Sequence, residues 1–481
     1  IICSPAFGYA GIGFPVIAMG TFPRIWGAGL PLRWYIQILF DQAARGVPTG
    51  ASAEPFAILA ALAIIFSALA WLRLRAVSHR VGMKSVSAEA GEEEVPAAHG
   101  IGGAFVAEWR RVLADRSVLG LFVLAPLLYG VFYPQPYLGQ LVRNIPIAVV
   151  DQDLSELSRR IVQTVDADEA IKVALRAETL AEAQSALYAR KVFGILAIPA
   201  GTEREVLKGN RARLPAYVDS AYFMVFNRTL QGILDSTNSV TDELVSHGAR
   251  PDASLSKAAL AQVEPVELLM APLYNPTGGY ASYVVPAAFV LILQQTLLMG
   301  AAMLGGVAFE RGGKRARGAR GATATVLGQG LAHFTLYLPA LALYLIVLPR
   351  IYGFSTLGHI LDLFLAAPFI LAVSFLGQFA GTLFKRRETA VLLFLATSLP
   401  LFFMVGVSWP VDAIPEALRT ASRVFPSTSA IDGLVRINQM GAHLHEVSND
   451  WTTLWITTAI YYLLAVVAGR LGRGKETDRA R

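Results

Sequence analysis

Five carboxylates lie close together in the middle of the chain, and a group of this type could bind a metal ion. Carboxylate oxygens are the ligands that Ca²⁺ and Mg²⁺ prefer. They flank a β-branched run, IPIAVVDQD (145–153), and the segment of helical spacing that follows it, where carboxylates commonly cap helices and turns. We therefore expect capping residues and no metal site. The five are Asp151, Asp153, Asp166, Asp168 and Glu169.

The string GRLGRGKE (469–476) comes closest to a phosphate-binding loop. Such a loop follows a strand and needs Ser or Thr after its Lys to reach the magnesium ion. Here Glu476 stands at that position, and the string follows an apolar run. We expect no ATP-binding site, no catalytic residue and no bound cofactor in this chain.

The composition favours a chain solvated largely by lipid. Hydrophobic residues make up 54% of it and charged residues only 16%, against about 25% charged residues in soluble domains. The single cysteine, Cys3, excludes an intrachain disulfide and a thiolate metal site. This balance argues against a soluble enzyme.

Eight apolar runs are long enough to cross a membrane as helices. The predicted fold is an α-helical polytopic membrane protein with about eight spans, two before and six after a linker, and an inserted extracytoplasmic α/β domain. The runs are 1–23, 55–72, 117–142, 280–305, 321–349, 363–384, 389–411 and 451–469.

Lys and Arg concentrate on one side of these spans, which the positive-inside rule makes cytoplasmic, together with the C-terminus. The net charge of +6 is therefore explained by a basic membrane face in contact with lipid headgroups, and nucleic acid is not needed to explain it. The basic segments are 73–116, 310–320, 385–387 and 470–481.

Segment 143–275, on the opposite side, has the pattern of a small α/β domain. β-branched runs alternate with amphipathic segments, which predicts strands and helices packed in layers. The predicted strands lie within 145–153, 171–175, 193–199 and 214–220, and the predicted helices within 154–165, 179–190 and 222–247.

The chain contains an internal repeat, because residues 14–46 align without a gap with residues 409–441. Each copy has an apolar run, a Pro at its outer end, an amphipathic hairpin and a second apolar run.

We expect 1–75 to be the last two spans of a first unit, whose remainder would lie before Ile1 unless two reading frames are joined. The other predicted segments are a cytoplasmic linker (76–100) and a complete second unit (101–481), with an elbow helix (104–116), a first span (117–133), the insert (143–275) and five further spans with a tail (280–481).

Residues 101–481 resemble the permease subunits of ABC-2 type transporters, and residues 1–75 resemble only the C-terminal end of that family. The order and spacing of several short stretches carry this resemblance. They are AFVAEWRRVLADR (104–116), NIPIAVVDQDLSELSRRIV (144–162), LYNPTGGYASYVVPAAF (273–289), FER (309–311), KRRET (385–389), SWP (408–410), FPST (425–428) and NQMGA (438–442).

The resemblance implies a permease of an ATP-driven exporter in the bacterial cytoplasmic (inner) membrane. Such a permease moves a hydrophobic or amphiphilic compound, such as a drug, a lipid-like or a polysaccharide-like molecule, out of the cytoplasm or inner leaflet. ATP is bound by a separate cytoplasmic ABC ATPase subunit. The other implied partners are a second permease unit, as a homodimer, heterodimer or fusion, and a periplasmic adaptor protein.

The segment 104–116 is amphipathic, as expected of a helix lying in the membrane interface. Its apolar face carries Phe105, Trp109, Val112 and Leu113, and its polar face carries Glu108, Arg110, Arg111 and Arg116. This helix could anchor to anionic headgroups or also contact the ATPase. The ATPase-docking candidates are Glu108, Trp109, Arg111, Glu310 and Arg311.

Two further groups of residues are candidates for the transport path. Pro15, Trp409 and Pro410 lie where a helix must break at the outer interface. Broken helices at membrane depth occur where they are buried or line a cavity, and we expect the two hairpins to form an outer gate. Gln294, Gln295 and Gln378 lie within spans, either as interhelical hydrogen-bond partners or on the substrate path.

Two other functions remain open at this point. An ion-coupled secondary transporter would need a carboxylate deep in the bilayer, and the sequence shows none in a span. A membrane receptor would sense a ligand with the outer domain. His443 and His445 are spaced like a metal pair but have no further ligands nearby in the sequence.

Overall fold

The computed structural model describes residues 6–81, 100–248, 274–275, 278–312, 322–356, 364–406 and 413–477. The chain forms two compact units. Within the described ranges, the sheet unit comprises 6–81 and 135–248, and the bundle unit comprises 100–134 and 274–477.

The sheet unit contains a four-stranded sheet of order β2-β1-β3-β4. β1 is parallel to β2 and β3, and β4 is antiparallel to β3. The strands are β1 (Ile145–Asp151), β2 (Ile171–Arg176), β3 (Gly194–Ile198) and β4 (Ala216–Val218). Each lies at a position where the sequence predicts a strand.

Helices cover both faces of this sheet, as parallel strands require. Helices Glu156–Ala167 and Phe223–Gly248 pack on one face, with Ile161 and Ile233 in a common core. Helix Leu180–Tyr188 packs on the other face through Ala183 and Ala186. The two clusters make this part of the chain a three-layer α/β domain. A short helix, Thr202–Leu207, follows β3.

The N-terminal part of the sheet unit is helical and repeats the C-terminal part of the bundle unit. Three helices of the first copy correspond, at the offset of the sequence repeat, to three helices of the second copy. Those of the first copy are Thr21–Ala28, Pro31–Leu39 and Ala53–Val81. The left-handed glycines Gly11 and Gly46 (φ 86° and 59°) correspond to Gly406 and Gly441 (φ 82° and 72°). The matching helices are Glu416–Ser422, Pro426–Met440 and Ser448–Thr477.

The bundle unit consists of helices throughout its described part. The elbow helix (Gly100–Ala114) precedes two helical stretches, Arg116–Leu119 and Ala125–Phe132, with a wider π-type turn between them. The central helix (Tyr280–Gly312) is almost completely buried by its neighbours. The remaining long helices are Ala322–Ala342, continued by Leu348–Tyr352 after a π-type turn, Ala366–Gly381 and Arg387–Met404.

Small residues bring two helices of the bundle unit into close contact. A Cβ atom on Gly305 would lie 2.6 Å from the Gly381 carbonyl oxygen, and one on Gly377 would lie 2.7 Å from the Ala301 Cβ. Close backbone approach at small residues is the usual way in which membrane helices associate. The central helix and helix Ala366–Gly381 are therefore held at a fixed short distance.

Among the described residues, six helices are long and apolar enough to cross a membrane. A seventh predicted span, 363–384, is represented by the shorter apolar helix Ala366–Gly381. The run 1–23 differs from the prediction, because its described residues contain only short helices, separated at the left-handed Gly11 and at Pro15. Hydropathy counts apolar residues but does not register such interruptions. The six helices are Thr49–Ala76, Arg116–Tyr137, Tyr280–Glu310, Ala322–Tyr352, Arg387–Met404 and Ser448–Leu471.

Candidate functional site

The elbow helix buries a stripe that contains a carboxylate. Ala104, Glu108 and Val112 recur every fourth residue and are buried, whereas Leu113 is exposed. The sequence placed Glu108 on the polar face, and the structure corrects this, with only 3% of the residue exposed. The amphipathic pattern did not indicate that Glu108 is buried, because its interpretation takes the apolar face of the helix as the buried one.

Glu108 has a partner for each of its oxygens. Its Oε1 lies 3.2 Å from Nε2 of His333. Its Oε2 accepts hydrogen bonds from Arg111 at 3.2 Å and from Gln329 at 3.0 Å. Burial by itself would raise the pKa of Glu108, but Arg111, His333 and Gln329 outweigh it and lower this pKa to about 2. Glu108 is therefore ionised at neutral pH.

The network continues from His333 into the neighbouring helix Ala366–Gly381. His333 Nδ1 lies 2.7 Å from the Ser374 hydroxyl, which also accepts a hydrogen bond from Gln378 at 3.2 Å. A neutral His333 with its proton on Nε2 satisfies every contact, because it donates to Glu108 and accepts from Ser374. Trp109 adds a bond from its indole N–H to the Thr335 hydroxyl at 3.0 Å. The elbow helix is thus bonded directly to helix Ala322–Ala342, and through His333 to helix Ala366–Gly381.

Glu310 joins two helices at one end of the bundle unit. Its Oε1 accepts the backbone N–H of Arg387 at 3.0 Å, and its Oε2 lies 3.7 Å from the Arg387 guanidinium. A carboxylate at this position caps the first turn of helix Arg387–Met404 and complements its dipole. Arg311 continues the central helix, but its side chain lies outside the described part.

A cavity of about 520 Å³ opens beside this junction. Arg387 and Glu388 supply charged groups at its wall, and Met303, Val391 and Leu392 supply apolar ones, with Ser117 completing the lining. The arrangement combines a pair of opposite charges with an apolar surface.

The three glutamines predicted for the spans share an unusual property. Each has a buried side-chain amide atom without a hydrogen-bond partner, namely Nε2 of Gln294, both amide atoms of Gln295, and Oε1 of Gln378. Gln294 uses its Oε1 to accept the backbone N–H of Ser427 at 2.8 Å. Interhelical bonding therefore accounts for only part of their hydrogen-bonding capacity.

The hairpin of the N-terminal copy carries a buried chain of charges that the sequence did not indicate. Asp41 lies 2.9 Å from Arg45 and 2.8 Å from Arg190, and Arg45 lies 2.9 Å from Asp219. The side chains of Asp41, Arg45 and Asp219 are each about 5% exposed or less. The rings of Tyr222 and Phe40 pack beside them in a tilted arrangement, with centroids 4.7 Å apart. These contacts fasten the hairpin to the α/β domain within the sheet unit.

Pro15 directly precedes the short helix Val16–Ala18 in this same unit. The other two predicted gate residues, Trp409 and Pro410, lie outside the described residues.

The carboxylates of the α/β domain bind backbone N–H groups. Asp151 accepts from Asp153 and Leu154, and Asp153 accepts from Gly201 and Glu203, where it caps the short helix after β3. Asp166 and Asp168 accept from Val173 and Ala170, and Glu169 pairs with Arg143. Capping is the role that the sequence predicted for this cluster.

In the part of the chain that the structure describes, no three potential ligand side chains are grouped as a metal site. His443 and His445 stack on each other with ring centroids 5.7 Å apart. The backbone N–H of His443 donates to Glu446.

Comparison with known proteins identifies the family. The family model described as "ABC-2 family transporter protein" matches residues 116–467, which include the predicted first span, the α/β domain and the later helices. A search of curated proteins finds no match to the chain. Family membership implies an ABC ATPase subunit as partner. The chain belongs to the ABC-2 transporter family and is a multi-pass membrane permease.

Proposed function

We propose that this permease is the membrane part of an ATP-driven exporter in the bacterial inner membrane. It moves a hydrophobic or amphiphilic compound outward from the cytoplasm or the inner leaflet, and a separate ABC ATPase supplies the energy. The distribution of Lys and Arg supports an orientation in which the elbow helix and the C-terminus are cytoplasmic.

The attachment of the elbow helix carries this proposal. Glu108 and Trp109 bond the elbow helix to helix Ala322–Ala342 of the bundle, so a force applied to its exposed side reaches the bundle. A mechanically coupled helix of this kind suits a permease driven by a subunit that binds at the membrane surface. Weak anchoring to headgroups would not require a buried carboxylate.

The contacts of the described docking candidates support different roles within this proposal. Glu108 is buried, so it holds Arg111 and the elbow helix in place. Arg111 is partly exposed, and Arg110 is exposed on the same helix. We assign ATPase contact to this exposed side, with Trp109 as its anchor and with Glu310 and Arg311 as a second contact region.

Site-specific cross-linking tests this assignment. Because Cys3 is the only cysteine, Cys3→Ser gives a background into which single cysteines can be placed. Arg110→Cys should cross-link to the ATPase subunit in membranes that contain both proteins. Leu154→Cys, which lies in the α/β domain and is 73% exposed, is the matched control and should not cross-link. Equal yields from both positions, or none from Arg110→Cys, would overturn the assignment.

The two hairpins and the α/β domain are assigned to the outer side. We propose that the hairpins, with Pro15, Trp409 and Pro410 at their entrances, gate the exit, and that the α/β domain receives substrate or docks a periplasmic adaptor. The buried charges between Asp41, Arg190 and the rest of the hairpin support a direct link between domain and gate.

We also propose that residues 1–75 are the C-terminal part of a first ABC-2-like unit, joined by the linker 76–100 to the second unit, 101–481. The matching helices and the paired left-handed glycines of the two copies support it. These two ABC-2-like units would then form one translocation path.

Ion-coupled transport is the second candidate, and the Glu108–His333 pair favours it. A buried carboxylate beside a histidine is a common element of proton pathways. In this conformation, however, Arg111 and the hydrogen bonds keep Glu108 ionised. Transport that continues without any ATPase and stops when the proton gradient is collapsed would establish this candidate in place of the first.

A further inference from the structure

The helix Pro426–Met440, which we call the half-helix, starts beside the middle of the central helix. Its second residue, Ser427, donates its backbone N–H to the side chain of Gln294, 14 residues after the central helix begins. Near its other end, Gln439 donates to the carbonyl of Ser282, close to the start of the central helix. The half-helix therefore runs back along half of a membrane-spanning helix, with its N-terminus at mid-span.

Two donors at this N-terminus have no hydrogen-bond partner among the described residues. The Nε2 atom of Gln294 and the hydroxyl of Ser427 are buried without a hydrogen bond, and both residues are 0% exposed. Leaving such groups unpaired in an apolar interior costs free energy. The cost is avoided when a group from another molecule accepts their hydrogen bonds.

The chemistry at the N-terminus of the half-helix indicates which kind of group would bind there. The N-terminus of a helix carries a partial positive charge, which favours electron-rich oxygen atoms and disfavours cations. The amide and the hydroxyl are uncharged, so a full anion buried there would have no counter-charge. A carbonyl, ester or ether oxygen on an otherwise apolar compound fits both conditions. Half-helix N-termini at mid-membrane serve a comparable purpose in other transporters.

We propose that Gln294 and Ser427 form a binding site for a neutral acceptor oxygen of the transported compound. This inference rests on the proposed export function, because that function makes the bound compound the transported one. The site distinguishes the two copies of the repeat, because the N-terminal copy has Leu32 at the position equivalent to Ser427. Only the C-terminal copy can offer this hydroxyl.

Photolabelling tests the site directly. A benzophenone with a dodecyl chain is a suitable probe, because its carbonyl is both the acceptor oxygen and the group that reacts with nearby C–H bonds under light. The full chain, in phospholipid nanodiscs without ATPase or ATP, should be labelled in the central helix around Gln294 or at the start of the half-helix. A dialkyl ketone of similar size should compete, and the corresponding alkane should not.

Two variants separate binding from structure. Ser427→Ala removes the free hydroxyl and keeps the backbone N–H. Gln294→Met has a similar volume and removes the amide donor, together with the oxygen that accepts that N–H. Each should reduce labelling about three- to tenfold, the effect of losing one hydrogen bond. Thr458→Val, which removes a buried hydroxyl that is already bonded to Leu454 and Pro368, is the control and should label as the unchanged chain does.

Labelling elsewhere in the chain, or equal labelling of both variants and the unchanged chain, would overturn the site. The outcome is independent of the export proposal. Cross-linking to the ATPase with unchanged labelling of the variants would reject the site and keep the function. Labelling that depends on Gln294 in a chain that binds no ATPase would keep the site and reject the function.

Discussion

Glu108 illustrates what a single helix can and cannot indicate. Its position relative to Arg111 and the apolar residues assigned it to the polar face, but its partner His333 lies 225 positions further along the chain. A carboxylate can be buried when a cation and hydrogen bonds hold it in its charged form. Helical periodicity contains no information about such a distant partner, although an isolated His in an apolar run is a signal to look for one.

Removing the Glu108 carboxylate should destabilise the bundle unit strongly. Glu108→Ala leaves the buried His333 and the adjacent Arg111 without their acceptor, which should cost roughly 3–5 kcal/mol. Glu108→Gln keeps one acceptor oxygen and should cost less. Thermal unfolding of the detergent-solubilised chain measures both, with the exposed Arg110→Ala as a control expected to stay within about 0.5 kcal/mol. Similar midpoints for Glu108→Ala and Arg110→Ala would contradict the network.

The α/β domain should lose stability in acid through Asp153 and Asp166. Slight burial would raise the pKa of Asp153, but hydrogen bonds from Ser155 and from the backbone at Glu203 and Gly201 lower it below its ordinary value. The Lys172 ammonium and the Val173 N–H lower the pKa of Asp166. Both pKa values lie below the unfolded value of about 3.9. The stabilisation is therefore complete above about pH 4 and is lost as the pH falls through the lowered values.

Hydrogen exchange over residues 143–248 of the full chain, corrected for the intrinsic rate at each pH, measures this loss. Protection should fall as the pH drops below about 4, and Asp153→Asn with Asp166→Asn should flatten the fall. A pH dependence unchanged by the double substitution would show that other groups are responsible.

At the scale of elements, local chemistry predicted the α/β domain well. β1 was expected within 145–153 and spans Ile145–Asp151, because its β-branched run ends in turn residues. Helix Glu156–Ala167 begins after Ser155, whose hydroxyl caps it. Contacts between elements were not predictable in the same way, since Asp41 and Arg190 are 149 positions apart and each resembles an ordinary surface charge.

Exchanging the charges of Asp41 and Arg190 tests the attachment of the hairpin to the domain. Either Asp41→Arg or Arg190→Asp alone places like charges together in a buried site and should destabilise the sheet unit by roughly 3–5 kcal/mol. The double exchange restores one attractive pair and should recover part of the loss. A double-mutant cycle on thermal unfolding should give a coupling of about 1–3 kcal/mol. Additive effects would show that the two side chains do not interact.

The contact between the central helix and helix Ala366–Gly381 should not tolerate an added methyl group. Gly305→Ala would place Cβ 2.6 Å from the Gly381 carbonyl oxygen, and the helices would have to separate, at a cost of roughly 1–3 kcal/mol. Gly102→Ala is the matched control, because nothing lies within 4 Å of its Cβ position, and Ala should favour the elbow helix by about 1 kcal/mol. Equal unfolding midpoints for the two variants would contradict the close packing.

At the scale of the whole molecule, hydropathy and the family resemblance supplied the class of protein. The family match over 116–467 confirms the ABC-2 permease, and the six helices of spanning length within the described residues fit its multi-pass character. Hydropathy overestimated the run 1–23, because it does not register the turn at Gly11. The substrate was not predictable, since apolar side chains are common to all spans. The proposed binding site rests on two polar side chains without hydrogen-bond partners, which only the three-dimensional structure shows.

The central claim is that a separate ABC ATPase drives this permease. The most direct measurement is ATP hydrolysis by the ATPase subunit in proteoliposomes, with and without the chain, after co-purification in mild detergent. The proposal predicts a stoichiometric complex whose hydrolysis rate changes severalfold when the chain is present and returns toward the rate of the free ATPase with Arg110→Glu. A chain that purifies without an ATPase and leaves its hydrolysis rate unchanged would contradict the claim.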